Sequence, residues 1–281
     1  MCQNDNSGKN FRLFMPNNQH NENFHTHVHS HGNDFHEHPH HHEHGNEHDH
    51  DHDHDSESSH GSASRIVNLG KNILQFNDIG AARNRGYFEA KEITSVNLVS
   101  SPGSGKTSLL EKTLTDLKDK VNFYVIEGDQ QTMNDSERIN AVGIPVVQIN
   151  TGSLCHLESN MIYEALKNLN PKSNSLLMIE NVGNLVCPSA FDLGEDHRIV
   201  IISTTEGDDK PIKYPDMFLS SDICIINKID LLPYLNFNVE KAKDYARKIN
   251  PKLVFFEVSA TTGEGMDKWY EWLLGNVKSG K

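Results

Sequence analysis

Residues 98–112 read "LVSSPGSGKTSLLEK": an apolar run, a glycine-rich turn, then a run with helical spacing. The glycines let the backbone curl until successive N–H groups converge on an anion, and a helix starting there adds its positive end. Lys106 follows Gly105 at the position that reaches β- and γ-phosphates, and the Thr107 hydroxyl suits Mg2+. Gly103, Ser104, Gly105, Lys106, Thr107 and Ser108 are therefore the candidate phosphate-binding residues. The usual pattern opens with a glycine five residues before the second one. Ser100 stands there instead, but the strand–loop–helix context carries the assignment.

Working outward, six further apolar runs follow, at 122–127, 145–149, 175–180, 198–203, 222–227 and 252–258. Segments such as "KTSLLEKTLTDL" and "SNMIYEALKNL" separate them with helical spacing. This alternation predicts an α/β fold, a mostly parallel sheet covered by helices on both faces. Upstream, Ile66, Leu69, Ile73 and Phe76 predict an amphipathic helix, with helical character continuing through "AARNRGYFEA". The expected organisation is a domain over 63–281 and a separate leader over 1–62.

Ligands of such sheets bind beyond the carboxyl ends of the strands, and the informative residues follow strands here. "IINKIDLL" places Asn227, Lys228 and Asp230 after an apolar run. A carboxylate at Asp230 accepts from N1–H and the 2-amino group of guanine, a pair that adenine lacks. Ser259 and Ala260, in "VSATTGEG", resemble the last guanine-contacting element of GTPases. GTP and GDP are the expected nucleotides. Asp129 and Asp135 fall within reach of the phosphate end, and Glu180 and Gly183 sit where a γ-phosphate sensor would. Asp129 is the first choice for a Mg2+ contact and Glu180 the second, although acidic residues also cap helices at such positions. Without an obvious glutamine to orient water, slow turnover is expected, suited to a switch.

The leader is different in kind. Residues 1–60 hold 11 acidic against two basic residues and 16 of the 18 histidines. With few apolar residues it cannot offset its ordering entropy, so disorder without metal is expected. His25, His27, His29, His31, His36, His38, His40, His41, His42, His44, His48, His50, His52 and His54 form alternating runs suited to Ni2+, Cu2+ or Zn2+. The remaining residues are mildly acidic, without the basic stripe that nucleic acid requires. No run approaches the length of a membrane span, and the N-terminus lacks the order of a signal peptide. The cytoplasm is the expected compartment, with Cys2, Cys155, Cys187 and Cys224 as thiols.

Cys155 and His156 follow the third run, and Cys187 lies seven residues after Glu180. These segments fall at the nucleotide edge of the sheet, and thiolate with imidazole suits Zn2+ or Ni2+. Three ligands are few, and neighbouring residues chelate awkwardly from one helix; a symmetric dimer would pool two sets. Two unrelated buried cysteines and a surface histidine remain the alternative.

Together "SSPGSGKTSLLE", "EGDQQTMNDSERI", "GSLCHLE", "ENVGNLVCPSAFDLGE", "INKIDLLP" and "VSATTGEG" resemble the HypB family of hydrogenase nickel-incorporation GTPases. The likeness runs from about Gly70 to the C-terminus. It implies a P-loop GTPase that forms a homodimer favoured by GTP. It also implies Ni2+ or Zn2+ on Cys155, His156 and Cys187 at the dimer interface. The implied partners are the [NiFe]-hydrogenase large subunit and other maturation accessory proteins. The N-terminal Cys-x-x-Cys-Gly-Cys motif of some family members does not occur here, where "MCQNDNSG" holds only Cys2. The histidine tract stands in that region and reads as a nickel reservoir. The urease accessory GTPases are a rival, but their Cys-Pro-His motif does not occur here. A metal-storage protein with an incidental GTPase domain is a third reading, opposed by the intact Lys106, Thr107 and Asp230.

Overall fold

The apolar runs after residue 93 are strands in the computed structural model, which describes residues 2–4, 10–14, 28–31, 34–37, 62–129 and 134–278, with side chains from 72 onward. The leader contributes β1 (Cys2–Asn4), β2 (Asn10–Phe14), β3 (Val28–His31) and β4 (Asp34–Glu37). Helix α1 (Ser62–Ala90) leads into β5 (Thr94–Ser100), α2 (Lys106–Leu117), β6 (Asn122–Asp129), α3 (Asn134–Ala141) and β7 (Val146–Asn150). Next come α4 (Ser159–Leu169), β8 (Ser175–Gly183), β9 (His197–Ser203), the short α5 (Lys210–Lys213) and α6 (Pro215–Leu219), and β10 (Ile223–Asn227). Finally α7 (Val239–Ile249), β11 (Val254–Glu257) and α8 (Met266–Gly275) close the chain.

The sheet runs β1-β2-β7-β6-β8-β5-β9-β10-β11. From β7 to β11 all seven strands are parallel. Alternate residues of each strand supply opposite faces. Val96, Leu98, Leu176, Met178, Ile199 and Ile201 pack under α2 and α8, with Leu110, Leu114 and Trp269. Leu177 and Ile179 face α4 through Met161, Ile162 and Leu166, while Val200, Ile202 and Cys224 pack with Met217, Phe218 and Ala242. Among the described residues no helix is long and apolar enough to cross a membrane.

Two features go beyond the sequence pattern. The first is in α1, where Ile73 and Phe76, two of the apolar residues expected to pack, face outward, 46% and 75% exposed. The buried stripe is Asn77, Ala81, Asn84 and Phe88. Hydrogen bonds explain the choice. Asn77 accepts from the Ser159 N–H and donates to the Asp192 carbonyl, and Asn84 donates to the carbonyls of Ser159 and Leu193. These two amides pin the start of α4 and the 192–194 turn to α1.

The second is within residues 1–62, read from sequence as a disordered tail, where the few described positions include four short strands. β2 pairs antiparallel with β7, from Asn10↔Asn150 to Phe14↔Val146, and β1 pairs with β2. β7 would otherwise be an edge with a row of unpaired N–H and C=O groups, and "NFRLF" has the alternation of a strand.

Candidate functional site

At the carboxyl end of β5 the chain turns through Gly103 (φ 76°) and Gly105 (φ 88°), left-handed conformations that favour glycine. A Cβ at Gly105 would also lie 2.6 Å from Asn227 Nδ2. Asn227 ties the loop down by donating to the Ser104 carbonyl (3.0 Å), and Lys228 Nζ donates to the Gly103 carbonyl (2.7 Å). The result is a cleft of about 540 Å3 lined by residues 100–108, Glu127, Gly128, Asp129, Asp135, Arg138, Glu180, Val182, Gly183 and Lys228.

Inside it, Lys106 Nζ and Thr107 Oγ1 both donate to Glu180 Oε1, at 3.0 and 2.6 Å. Glu180 Oε2 is buried, with no hydrogen-bond partner among the described residues. A hydroxyl beside a carboxylate with a spare oxygen is a donor set that fits Mg2+. Asp129 lines the same cleft from the end of β6. Thus Glu180, the second choice from sequence, makes the contact with Thr107.

The residues expected to read the base meet beside this loop. Asn227 Oδ1 accepts from the N–H groups of Lys228 and Ala260, so the two segments brace each other. The Ser259 hydroxyl accepts from the Thr262 N–H and shapes the turn. Asp230 Oδ1 is buried, with no hydrogen-bond partner among the described residues.

The second constellation forms at the ends of β7 and β8. Cys155 and His156 lie in the loop before α4, not on the helix, which removes the expected chelation difficulty. Cys187 begins a 3-10 turn after β8. One ligand atom from each of Cys155, His156 and Cys187 lies within 4.8 Å of the others. The His156 ring stacks on Phe191 at 3.8 Å between centroids, and Asn184 Nδ2 donates to Cys187 Sγ.

A model of the CobW/HypB/UreG nucleotide-binding domain matches residues 94–257. The hydrogenase maturation factor HypB of Rhizobium leguminosarum bv. viciae is 55% identical over 212 residues, covering 75% of this chain and 71% of that one. The chain belongs to the HypB branch of the CobW/HypB/UreG family. Its fold matches the crystal structure of HypB from Archaeoglobus fulgidus with TM-score 0.68 and 39% identity, over 72% of this chain and 99% of that one. HypB from Helicobacter pylori, solved in complex with nickel, matches with TM-score 0.67 and 40% identity, over 73% and 98%. This HypB-family chain is a P-loop GTPase, with GTP or GDP and Mg2+ as its cofactors.

Two corrections and one omission concern its side chains. Thiols were expected at every cysteine, but Cys155 and Cys187 are joined as a disulfide, their Cα atoms 6.2 Å apart. The convergence of two loops on one place brings the sulfurs together. Binding of a soft metal by both sulfurs requires the reduced, thiolate form. Cys224 is a thiol, and burial pushes its pKa up, as expected for a core residue. The second correction is the inverted face of α1, since its buried amides position the segment that follows His156.

The omission is Glu127. It ends an apolar strand and looked like part of it, yet it is 2% exposed and lines the cleft. Burial, with the charges of Glu180, Asp129 and Asp135, pushes its pKa up to about 9. Of the tail histidines, His29 and His31 lie in β3 and His36 in β4, with His29 paired to His36. The others, His25, His27 and those from His38 to His54, lie outside the described residues.

Proposed function

We propose that this chain is a GTP-hydrolysing nickel chaperone that delivers nickel to the large subunit of [NiFe]-hydrogenase in the cytoplasm. Nickel is its cargo. The loop N–H groups of Gly103–Ser108 cradle the phosphates, Lys106 draws on the β- and γ-oxygens, and Thr107 and Glu180 hold Mg2+, with Asp129 nearby. Bound Mg2+ offsets charge on the phosphates. Asp230 reads guanine, framed by Asn227, Lys228, Ser259 and Ala260.

Reduced Cys155, His156 and Cys187 take the cargo ion. Three ligands leave a nickel or zinc ion short of a closed shell, so two copies joined across this face supply a complete set, and GTP favours the pairing. The histidine tract stores ions for the site, and maturation accessory proteins complete the transfer. Residues 1–62 and 63–281 are accordingly a store and a switch.

One observation carries this reading. β8 bears Glu180, which touches Lys106 and Thr107, and runs on within seven residues to Cys187. Between them Asn181, fully buried, accepts from the Leu157 N–H beside His156. Movement of β8 on nucleotide exchange therefore reaches both halves of the cargo site. The test is Cys187→Ala in the reduced protein. Nickel transfer to the apo large subunit should fail while GTP affinity stays within threefold. Loss of both functions in a folded variant would refute the division of labour.

A further inference from the structure

Two carboxylates in the cleft are almost wholly enclosed, Glu127 at 2% and Glu180 at 1% exposed. They sit on adjacent strands, β6 and β8, and are register partners, so their side chains start side by side. Lys106 and Thr107 both donate to the same oxygen, Glu180 Oε1. The neighbouring Glu180 Oε2 and Glu127 Oε2 are buried, and neither has a hydrogen-bond partner among the described residues.

Orphaned acceptors of this kind are costly to bury, and the cleft's expected ligand makes the problem worse. A phosphate brings only acceptors and negative charge, so it cannot satisfy either oxygen. It also competes for Lys106, the cation now held by Glu180. Once Lys106 turns to the phosphates, two enclosed carboxylates face each other without a counter-charge. A divalent cation, with its bound waters as donors, fits what is missing.

We propose that Glu127 is a second magnesium-positioning carboxylate, acting with Glu180, and that Lys106 holds the cation's place on Glu180 until nucleotide and Mg2+ arrive together. Nucleotide without Mg2+ must strip Lys106 from Glu180 and leave the carboxylate pair exposed to the phosphates. Nucleotide with Mg2+ exchanges one counter-charge for another. The inference rests on reading this cleft as the Mg2+–nucleotide site.

The experiment measures the affinity of the full-length chain for a fluorescent GDP, in excess EDTA and in millimolar Mg2+. The ratio of the two dissociation constants is the coupling between nucleotide and cation. For Glu127→Gln the coupling should fall at least threefold, with affinity in EDTA within threefold of the parent because the carboxyl is needed only when the cation is present. Coupling within threefold of the parent overturns the inference. So does an equal loss of affinity in both conditions, the signature of a merely structural role. If Glu127→Gln does not fold, Glu127→Asp keeps the charge on a shorter stem, and the same threefold criterion applies to it. A parent protein whose GDP binding ignores Mg2+ altogether would instead overturn the reading of the cleft itself.

Discussion

Asn84→Ala tests whether α1 is a structural brace for the cargo site. The Asn84 amide is fully buried and donates to the carbonyls of Ser159 (2.7 Å) and Leu193 (3.0 Å), residues 75 and 109 positions away. Truncation removes two buried hydrogen bonds, to the carbonyls of Ser159 and Leu193, at about 1–2 kcal/mol each. One gain offsets this, since Asn84 Oδ1 is itself buried with no partner among the described residues and its removal returns about 1 kcal/mol. The net expectation is a loss of about 2 kcal/mol, or roughly 4–8 °C in Tm for a domain of this size. Urea melts of the full chain, followed by tryptophan fluorescence, read the change in midpoint at constant m. Because both carbonyls belong to the segments flanking His156 and Phe191, nickel affinity of the reduced protein should fall alongside. A stability change below about 0.5 kcal/mol would refute the reasoning, since surface substitutions commonly stay within that limit.

Three further outcomes follow from the geometry. Gly105→Ala forces a side chain into a left-handed conformation and to 2.6 Å from Asn227 Nδ2; GDP affinity by calorimetry should drop more than about tenfold, and an unchanged value would contradict the loop description. Asp230→Asn replaces an acceptor pair with one donor and one acceptor, so binding should move from GTP toward xanthosine triphosphate, whose 2-oxo group accepts; retained preference for GTP would remove Asp230 from base recognition. Burial tends to raise the Asp192 pKa, but the Arg85 hydrogen bond and the Gly194 N–H outweigh it and hold it below the ordinary carboxylate value. A lowered folded pKa gives stability that is present above the unfolded value and lost as pH falls through the folded one. Arg85→Met should therefore move the acid-unfolding midpoint upward in pH; no shift would show that the pair does not contribute.

Much of the fold was legible because its determinants are local. The seven apolar runs needed only alternation and flanking turns, and α2 (Lys106–Leu117) and α4 (Ser159–Leu169) match the segments read as helices residue for residue. The strand–loop–helix turn at 100–108 was legible because its glycines and the helix after it are near neighbours. What escaped depends on contacts distant in sequence. The packed face of α1 is chosen by Asn77 and Asn84 bonding to residues 75 to 115 positions away, which periodicity cannot register. Ile73 and Phe76 belonged to the louder pattern and lie on the wrong face. Glu127 escaped because a carboxylate ending an apolar strand reads as a strand boundary, and only its register with Glu180 makes it part of the cleft. The Cys155–Cys187 pairing follows from two loops meeting, which spacing alone left open.

The most direct test of the nucleotide-switched cargo site is nickel stoichiometry by equilibrium dialysis of the reduced, full-length chain, with GDP and with a non-hydrolysable GTP analogue. The double variant Cys155→Ala/Cys187→Ala is measured beside it. The parent should bind several ions, a fraction of which changes with nucleotide, and the variant should lose that fraction while keeping the ions held by the histidine tract. Equal nickel content in both nucleotide states, and in both proteins, would contradict a switched delivery site.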